Sequence, residues 1–161
     1  MNSKYCSTLE TPIGMLMIFA NEQFISEITF TERESDGISA NELTKLAARQ
    51  LDKYFAGTLK IFDLPLKQSG TNFQQEVWQS LLNIEYATTL SYAKFSEVKP
   101  LAIRAIATAN GKNKIAIAIP CHRVIGRSGK LVGYAGGLWR KKWLLQHERD
   151  VAQKGQTEFK F

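Results

Sequence analysis

Cysteine and histidine are scarce in this chain, with two of each in 161 residues. Cys6 and Cys121 can make one disulfide at most, and together with His122 and His147 they lack the clustered spacing of a zinc site, so no metal is expected. Long apolar runs are missing too. Ile13 to Ala20 and Ile115 to Cys121 fall far short of the ~18 residues that cross a bilayer, so no membrane partner is expected. Lys4 and Glu10 interrupt the first ten residues, which leaves no apolar core of a signal peptide. The expected location is the cytoplasm, or the nucleus in a eukaryote. The sequence holds no internal repeat and no nucleotide-binding motif, and no cofactor is expected.

What is present is 44% hydrophobic content, enough for one domain or two small ones with a real core. The formal charge is +6, and it is unevenly spread. Residues 1–67 carry seven Lys and Arg against nine Asp and Glu, whereas residues 68–150 carry twelve against five. The basic half suggests a polyanionic partner, although charge alone does not separate nucleic-acid binders from other basic proteins.

Tyr5 to Leu9, Ile13 to Ala20 and Phe24 to Phe30 read as consecutive antiparallel strands with turns between them. Ser39-Ala40-Asn41-Glu42 has the form of a capping box, and Leu43, Leu46, Ala47, Leu51, Tyr54 and Phe55 then recur at helical spacing until Gly57. Pro65 and Gly70 mark a connection, and the boundary falls near residue 68. Thr71-Asn72-Phe73-Gln74 is a second capping box, opening a helix with Phe73, Val77, Trp78, Leu81 and Leu82 on its apolar face. A short helix is expected from Ser91 to about Val98. Another opens at Pro100 and closes at Asn110-Gly111, and the pair reads either as a helix-turn-helix or as an ordinary helical hairpin. The later helix has a small-residue surface broken by Arg104. Glycines crowd the segment after residue 125, and Leu138 to Glu148 reads as a basic amphipathic helix whose aromatics face the core. Residues 151–161 read as a mobile tail.

The run Ile115-Ala116-Ile117-Ala118-Ile119 predicts an interior strand that Pro120 must end, presenting Cys121 at the strand end. His122 can move protons near neutral pH, and Arg123 adds positive potential, surroundings that favour thiolate over thiol. Neighbours on an extended strand point to opposite faces, and a water can bridge Cys121 and His122. Glu148 is the carboxylate available to the other ring nitrogen. The plainer readings are a buried structural cysteine and a solvated glutamate at a helix end.

Taken together, Gly70-Thr71-Asn72-Phe73-Gln74, Val77-Trp78, Ser91-Tyr92, Ile103-Arg104-Ala105, Ala109-Asn110-Gly111-Lys112-Asn113, Ile119-Pro120-Cys121-His122-Arg123-Val124-Ile125, Gly133-Tyr134-Ala135-Gly136-Gly137-Leu138 and Trp143-Leu144-Leu145 resemble the O6-alkylguanine-DNA alkyltransferases. The resemblance spans residues 70–148, and residues 1–67 match the family's ribonuclease-H-like N-terminal domain in size and pattern. It implies an α+β fold: an N-terminal antiparallel sheet with a helix, then a mainly helical domain with a helix-turn-helix and an active-site cysteine loop. The divisions are 1–67, 68–150 and the tail.

The resemblance further implies direct repair of double-stranded DNA, in which O6-alkylguanine, and in some members O4-alkylthymine, is flipped out and dealkylated in a single turnover. Cys121 then resembles the acceptor, His122 the water-mediated base, Glu148 its orienting partner and Asn113 the brace of the active-site loop. Tyr134 resembles the donor to guanine N3, and Ala135 and Val124 stand where the family contacts the base. Tyr92 resembles the residue that crowds the adjacent phosphate, Arg104 the finger that fills the vacated stack, and Ala105 and Arg123 further DNA contacts. A recognition helix of this kind enters the minor groove. A monomer is implied.

Several positions depart from the family pattern. The stretch Ala93 to Ile103 is about two residues short relative to the family form. Glu85 and Ala87 replace a common proline and glycine, Lys114 replaces a proline, and Ala135 lacks a hydroxyl. Three rivals remain at this point: a non-reactive lesion sensor, a cysteine hydrolase, and a transcription regulator, the last lacking its zinc-cysteine domain.

Overall fold

Two compact units make up the chain in the computed structural model, which describes residues 4–31, 37–97, 102–129 and 131–158. Unit 1 is Met1–Gly70 with Lys114–Ala118, and unit 2 is Thr71–Asn113 with Ile119–Phe161. The boundary expected near 68 thus has a second crossing, because a five-residue segment around Ile115 returns to unit 1.

Unit 1 is a meander of β1 (Tyr5–Thr11), β2 (Gly14–Ala20) and β3 (Ile25–Phe30), antiparallel in the order β1-β2-β3. The β1–β2 turn is held by Thr11, whose hydroxyl donates to the Gly14 carbonyl at 2.6 Å and accepts from the Ile13 amide. Asn21 forms the next turn by accepting from the amides of Gln23 and Phe24. Helix α1 (Glu42–Ala56) packs on this sheet with Ala47, Leu51 and Tyr54 fully buried. Its cap is not Ser39 as the sequence suggests. Asn41 is the N-cap, and its box is closed by Thr44 at the third helical position, because a threonine hydroxyl serves there as well as a glutamate. Gly57 ends the helix at φ 81°.

The strand expected over 115–119 does not form. Ile115 makes a single parallel bridge to Ile28, and the chain then turns tightly, with the Ala118 amide donating to Ala116 and the buried Ile117 at φ 71°. A β-branched residue in that region costs about 1–3 kcal/mol, which surrounding contacts must offset. A second three-residue turn follows at Pro120 (φ −81°, ψ 62°), where the Cys121 amide donates to the Ile119 carbonyl at 2.8 Å. Cys121 therefore opens a short 3-10 helix, Cys121–Arg123, instead of standing at a strand end.

Unit 2 begins with α2 (Asn72–Leu81), capped by Thr71 and Gln74 as its sequence predicts. Helix α3 (Tyr92–Phe95) is shorter than expected. Val98 and Pro100, which the sequence reading placed at the two helix ends, lie outside the described residues. Helix α4 spans Ile103–Gly111, and Val77 of α2 packs with Ile106 and Ala109 of α4. The indole of Trp78 is buried and donates to the Ala109 carbonyl at 2.8 Å, fixing α2 against α4. A two-residue parallel ladder of β4 (Leu90–Ser91) and β5 (Val124–Ile125) brings the start of α3 beside the Cys121 segment.

Helix α5 runs over Leu138–Glu158, so residues expected to begin a tail continue the helix. Its buried positions among the described side chains are Lys141, Leu144 and Glu148, spaced three and four residues apart on one face. The apolar-face reading is corrected here: Trp139 is 57% exposed and Leu138 48% exposed, while Lys141 is fully buried.

Candidate active site

Everything at this site lies within unit 2. Cys121 is buried, and burial raises its thiol pKa; hydrogen bonding from Asn113 and the charge of Lys141 pull the other way without winning. The resting group is a thiol, contrary to the expectation that its sequence neighbours alone would favour thiolate. Asn113, also buried, donates through its side-chain amide to the Ile119 carbonyl at 3.0 Å, bracing the turn that precedes the cysteine.

The His122 ring is fully buried, with Nε2 2.7 Å from Glu148 Oε2. Burial depresses the His122 pKa more than Glu148 raises it, so the ring is neutral. Burial would also raise the Glu148 carboxyl, yet His122 and Arg123 together hold it far below the usual carboxylate range. An ionised carboxylate only accepts, so the one ring proton sits on Nε2 and Nδ1 keeps its lone pair. That Nδ1 is buried and has no hydrogen-bond partner, which leaves it free to receive a proton.

Arg123 departs from its expected place among the DNA contacts. It is buried, its Nε and Nη2 donate to the two oxygens of Glu148 at 2.9 and 3.0 Å, and its Nη1 donates to the Ile84 carbonyl at 2.7 Å. Such a fork fixes the carboxylate plane. A further donor is the Ala87 amide, 3.0 Å from Glu148 Oε1, and Ala87 holds this position at φ 61°. The alanine that departs from the family glycine thus occupies the left-handed conformation glycine would take without strain.

Lys141 escapes sequence reading because it stands in a basic run between Arg140 and Lys142 and looks like them in sequence. Its Nζ donates to the carbonyls of Val124 at 2.6 Å, Val132 at 2.8 Å and Gly133 at 3.4 Å, tying the segment after Cys121 to the loop before Tyr134. Burial pushes it down to about 8, partly opposed by the Cys121 charge. The only signal in the sequence is its spacing from Leu144 and Glu148.

Tyr134 is half-buried, and its hydroxyl is enclosed with no partner; burial raises its pKa well above the ordinary tyrosine value, so it stays a donor. Val124 is fully buried, whereas Ala135 is exposed. Arg104 and Ala105 are exposed on α4. Tyr92 is half-buried, and its hydroxyl accepts from Asn110 Nδ2 at 2.9 Å. Among the described residues there is no cluster of three or more metal-ligating side chains.

The site therefore places a cysteine next to a neutral histidine, with a clamped carboxylate behind the ring, in a helical unit whose α4 exposes an arginine among small residues. The class so defined is a protein that carries a buried cysteine and a histidine–carboxylate pair in one unit with an arginine-bearing helix. Residues 72–150 match the family model described as the 6-O-methylguanine DNA methyltransferase DNA-binding domain, and residues 4–68 match the ribonuclease-like domain of the same family. The chain belongs to the 6-O-methylguanine DNA methyltransferase family.

Relatives named methylated-DNA-protein-cysteine methyltransferase include one from Methanosarcina barkeri, 44% identical over 91% of this chain and 98% of its own length. Another, from Mycobacterium leprae, is 43% identical over 96% and 98%. The solved structure of Mycobacterium tuberculosis OGT in complex with DNA is 42% identical, with a TM-score of 0.82 over 91% of this chain and 94% of that one.

Proposed function

We propose that this protein reverses O6-alkylation of guanine in double-stranded DNA, accepting the alkyl group on Cys121. The observation that carries the reading is the open, buried Nδ1 of His122, backed by a carboxylate that holds the ring in the right tautomer. Transfer of the thiol proton to that nitrogen, directly or through a water, produces an imidazolium that Glu148 stabilises. The thiolate then attacks the alkyl carbon. A sulfur–carbon bond forms as the carbon–O6 bond breaks, and the electron pair passes into the purine. Tyr134 donates a hydrogen bond to N3 as that charge develops, and the proton taken from the thiol, held on His122 and passed on through water, makes the departing base neutral guanine.

The target atom is hidden in a stacked duplex, so the nucleotide must be extruded at a cost of a few kcal/mol. Arg104 on α4 fills the gap, Tyr92 crowds the adjacent phosphate and Ala105 adds a further DNA contact. Phosphate contacts make binding salt-sensitive and tolerant of sequence. The thioether is stable and nothing regenerates the thiol, so each molecule, a monomer of the cytoplasm or nucleus, acts once.

The test is intact and peptide mass spectrometry after incubation with a duplex carrying O6-methylguanine. A gain of one methyl group on the Cys121 peptide is expected. Binding without any mass change would replace this reading with that of a lesion sensor.

A further inference from the structure

Asn110 has no part in the chemistry above, yet it joins three elements of unit 2. It lies in the last turn of α4 and is 3% exposed. Its Nδ2 is 2.9 Å from the Tyr92 hydroxyl and 3.5 Å from the Cys121 carbonyl. A backbone carbonyl can only accept, so turning the amide over would set oxygen against oxygen; the nitrogen must face this way. Asn110 therefore donates to Tyr92. The hydroxyl has one lone pair occupied and its proton directed elsewhere, and no acceptor for that proton is found among the described residues.

Stability alone does not select this residue, because its two donated bonds, worth about 0.5–1.5 kcal/mol each, are offset by two costs. Asn110 Oδ1 is buried with no donor, which costs about 1–3 kcal/mol, and asparagine is a poor helix former compared with leucine. An apolar side chain of the same shape would remove both costs. Tyr92 also lies near the thiol. Burial raises its pKa, the Asn110 bond lowers it, and negative charge on Cys121 raises it again, so the hydroxyl remains protonated beside the reacting sulfur.

We propose that Asn110 is a positioning residue for alkyl transfer: anchored against the Cys121 carbonyl, its amide occupies the Tyr92 oxygen from behind and aims the hydroxyl proton at an acceptor atom of the extruded base. The inference rests on the repair reading above. It gives Tyr92 an inward-facing role as well as the phosphate-side one, and it couples both to α4, the helix that carries Arg104.

The experiment is single-turnover methyl transfer from an O6-methylguanine duplex by the full chain, its Asn110→Leu and Tyr92→Phe variants, and the double variant. Asn110→Leu is expected to slow transfer about tenfold, the worth of one hydrogen bond, while its melting temperature stays level or rises. Affinity for an undamaged duplex stays within about twofold, because no DNA contact is removed. The double variant is no slower than Tyr92→Phe alone, since both substitutions remove the same donated proton. Asn110→Asp keeps the shape but reverses the bond, drawing the hydroxyl proton to the carboxylate, and is expected to be as slow as Tyr92→Phe. The inference is overturned if Asn110→Leu transfers at the wild-type rate, if the two losses multiply, or if slowing follows a fall in melting temperature. Absence of transfer by the wild-type chain would instead overturn the repair reading itself.

Discussion

The interiors of the two units are built from different material. Unit 1 closes over Leu16, Ile18, Ile25, Ile28, Leu51 and Ile115, with Ser26, Thr44 and Gln68 as its buried polar side chains among the described residues. Unit 2 buries Arg123, His122, Lys141 and Glu148 in addition to Asn110, Asn113 and Cys121. An apolar interior is stabilised by area removed from water and tolerates exchange of similar shapes. A charged interior has no such latitude. Each ion costs several kcal/mol to desolvate, and only complete pairing offsets that cost. In the second unit the ionised carboxylate at Nε2 fixes a neutral imidazole in the tautomer that leaves Nδ1 open.

Substitutions at matched depth in the two units separate these roles. The largest effect is expected from Cys121→Ser, which removes all transfer, read by mass spectrometry, and leaves duplex binding nearly intact; methylation of the serine variant would refute the acceptor assignment. Glu148→Ala follows. It strands Arg123 in the interior and is expected to cost about 3–5 kcal/mol, measured by urea denaturation, and to slow transfer as well. Ile18→Ala in β2 makes a cavity costing about 2–5 kcal/mol, with the pH profile of transfer in the folded fraction unchanged. A shifted profile would mean that the apolar interior also tunes the site.

Acid distinguishes the units more gently. The folded-state pKa of Glu148 is depressed, so its contribution is present above the unfolded carboxylate value and is lost as pH falls below it. His122 is depressed as well, so below about pH 6.5 the unfolded chain binds a proton that the folded one refuses. Both signs agree: amide protection in α5, taken relative to the intrinsic exchange rate at each pH, is expected to fall from pH 7 towards pH 4 more than protection in β2. The smallest effect is expected at Ala87. Replacement by glycine relieves the left-handed strain but frees the unfolded chain, so stability changes by about 1 kcal/mol or less, and the carboxylate keeps its amide donor.

Much of this was legible without coordinates. Alternation marked the three strands of unit 1, and Thr71 with Gln74 marked the start of α2, because these signals act between residues close in sequence. Residue chemistry names Glu148 only as an available acceptor for His122, beside the reading as a solvated helix end; the family resemblance selects the pairing that the structure contains. The segment before Cys121 misled. Its isoleucines suit a strand, but the structure gives Ile115 only one bridge and turns the chain at Ile117 and Pro120. The resemblance implies a DNA contact for Arg123, which is instead buried against Glu148; in sequence an arginine looks the same whether it faces solvent or a buried carboxylate.

The sequence by itself determined the family and the alternating and helical segments, and it named Cys121, His122 and Glu148 as candidates, all of which depend on local pattern or residue chemistry. Tertiary structure alone decided which charges are buried. Arg123 and Glu148 stand 25 residues apart, as Val124 and Lys141 stand 17 apart, and only the packing of α5 against the Cys121 segment pairs them. Burial sets whether a charged group is solvated or must be matched, and burial is a property of the assembled unit.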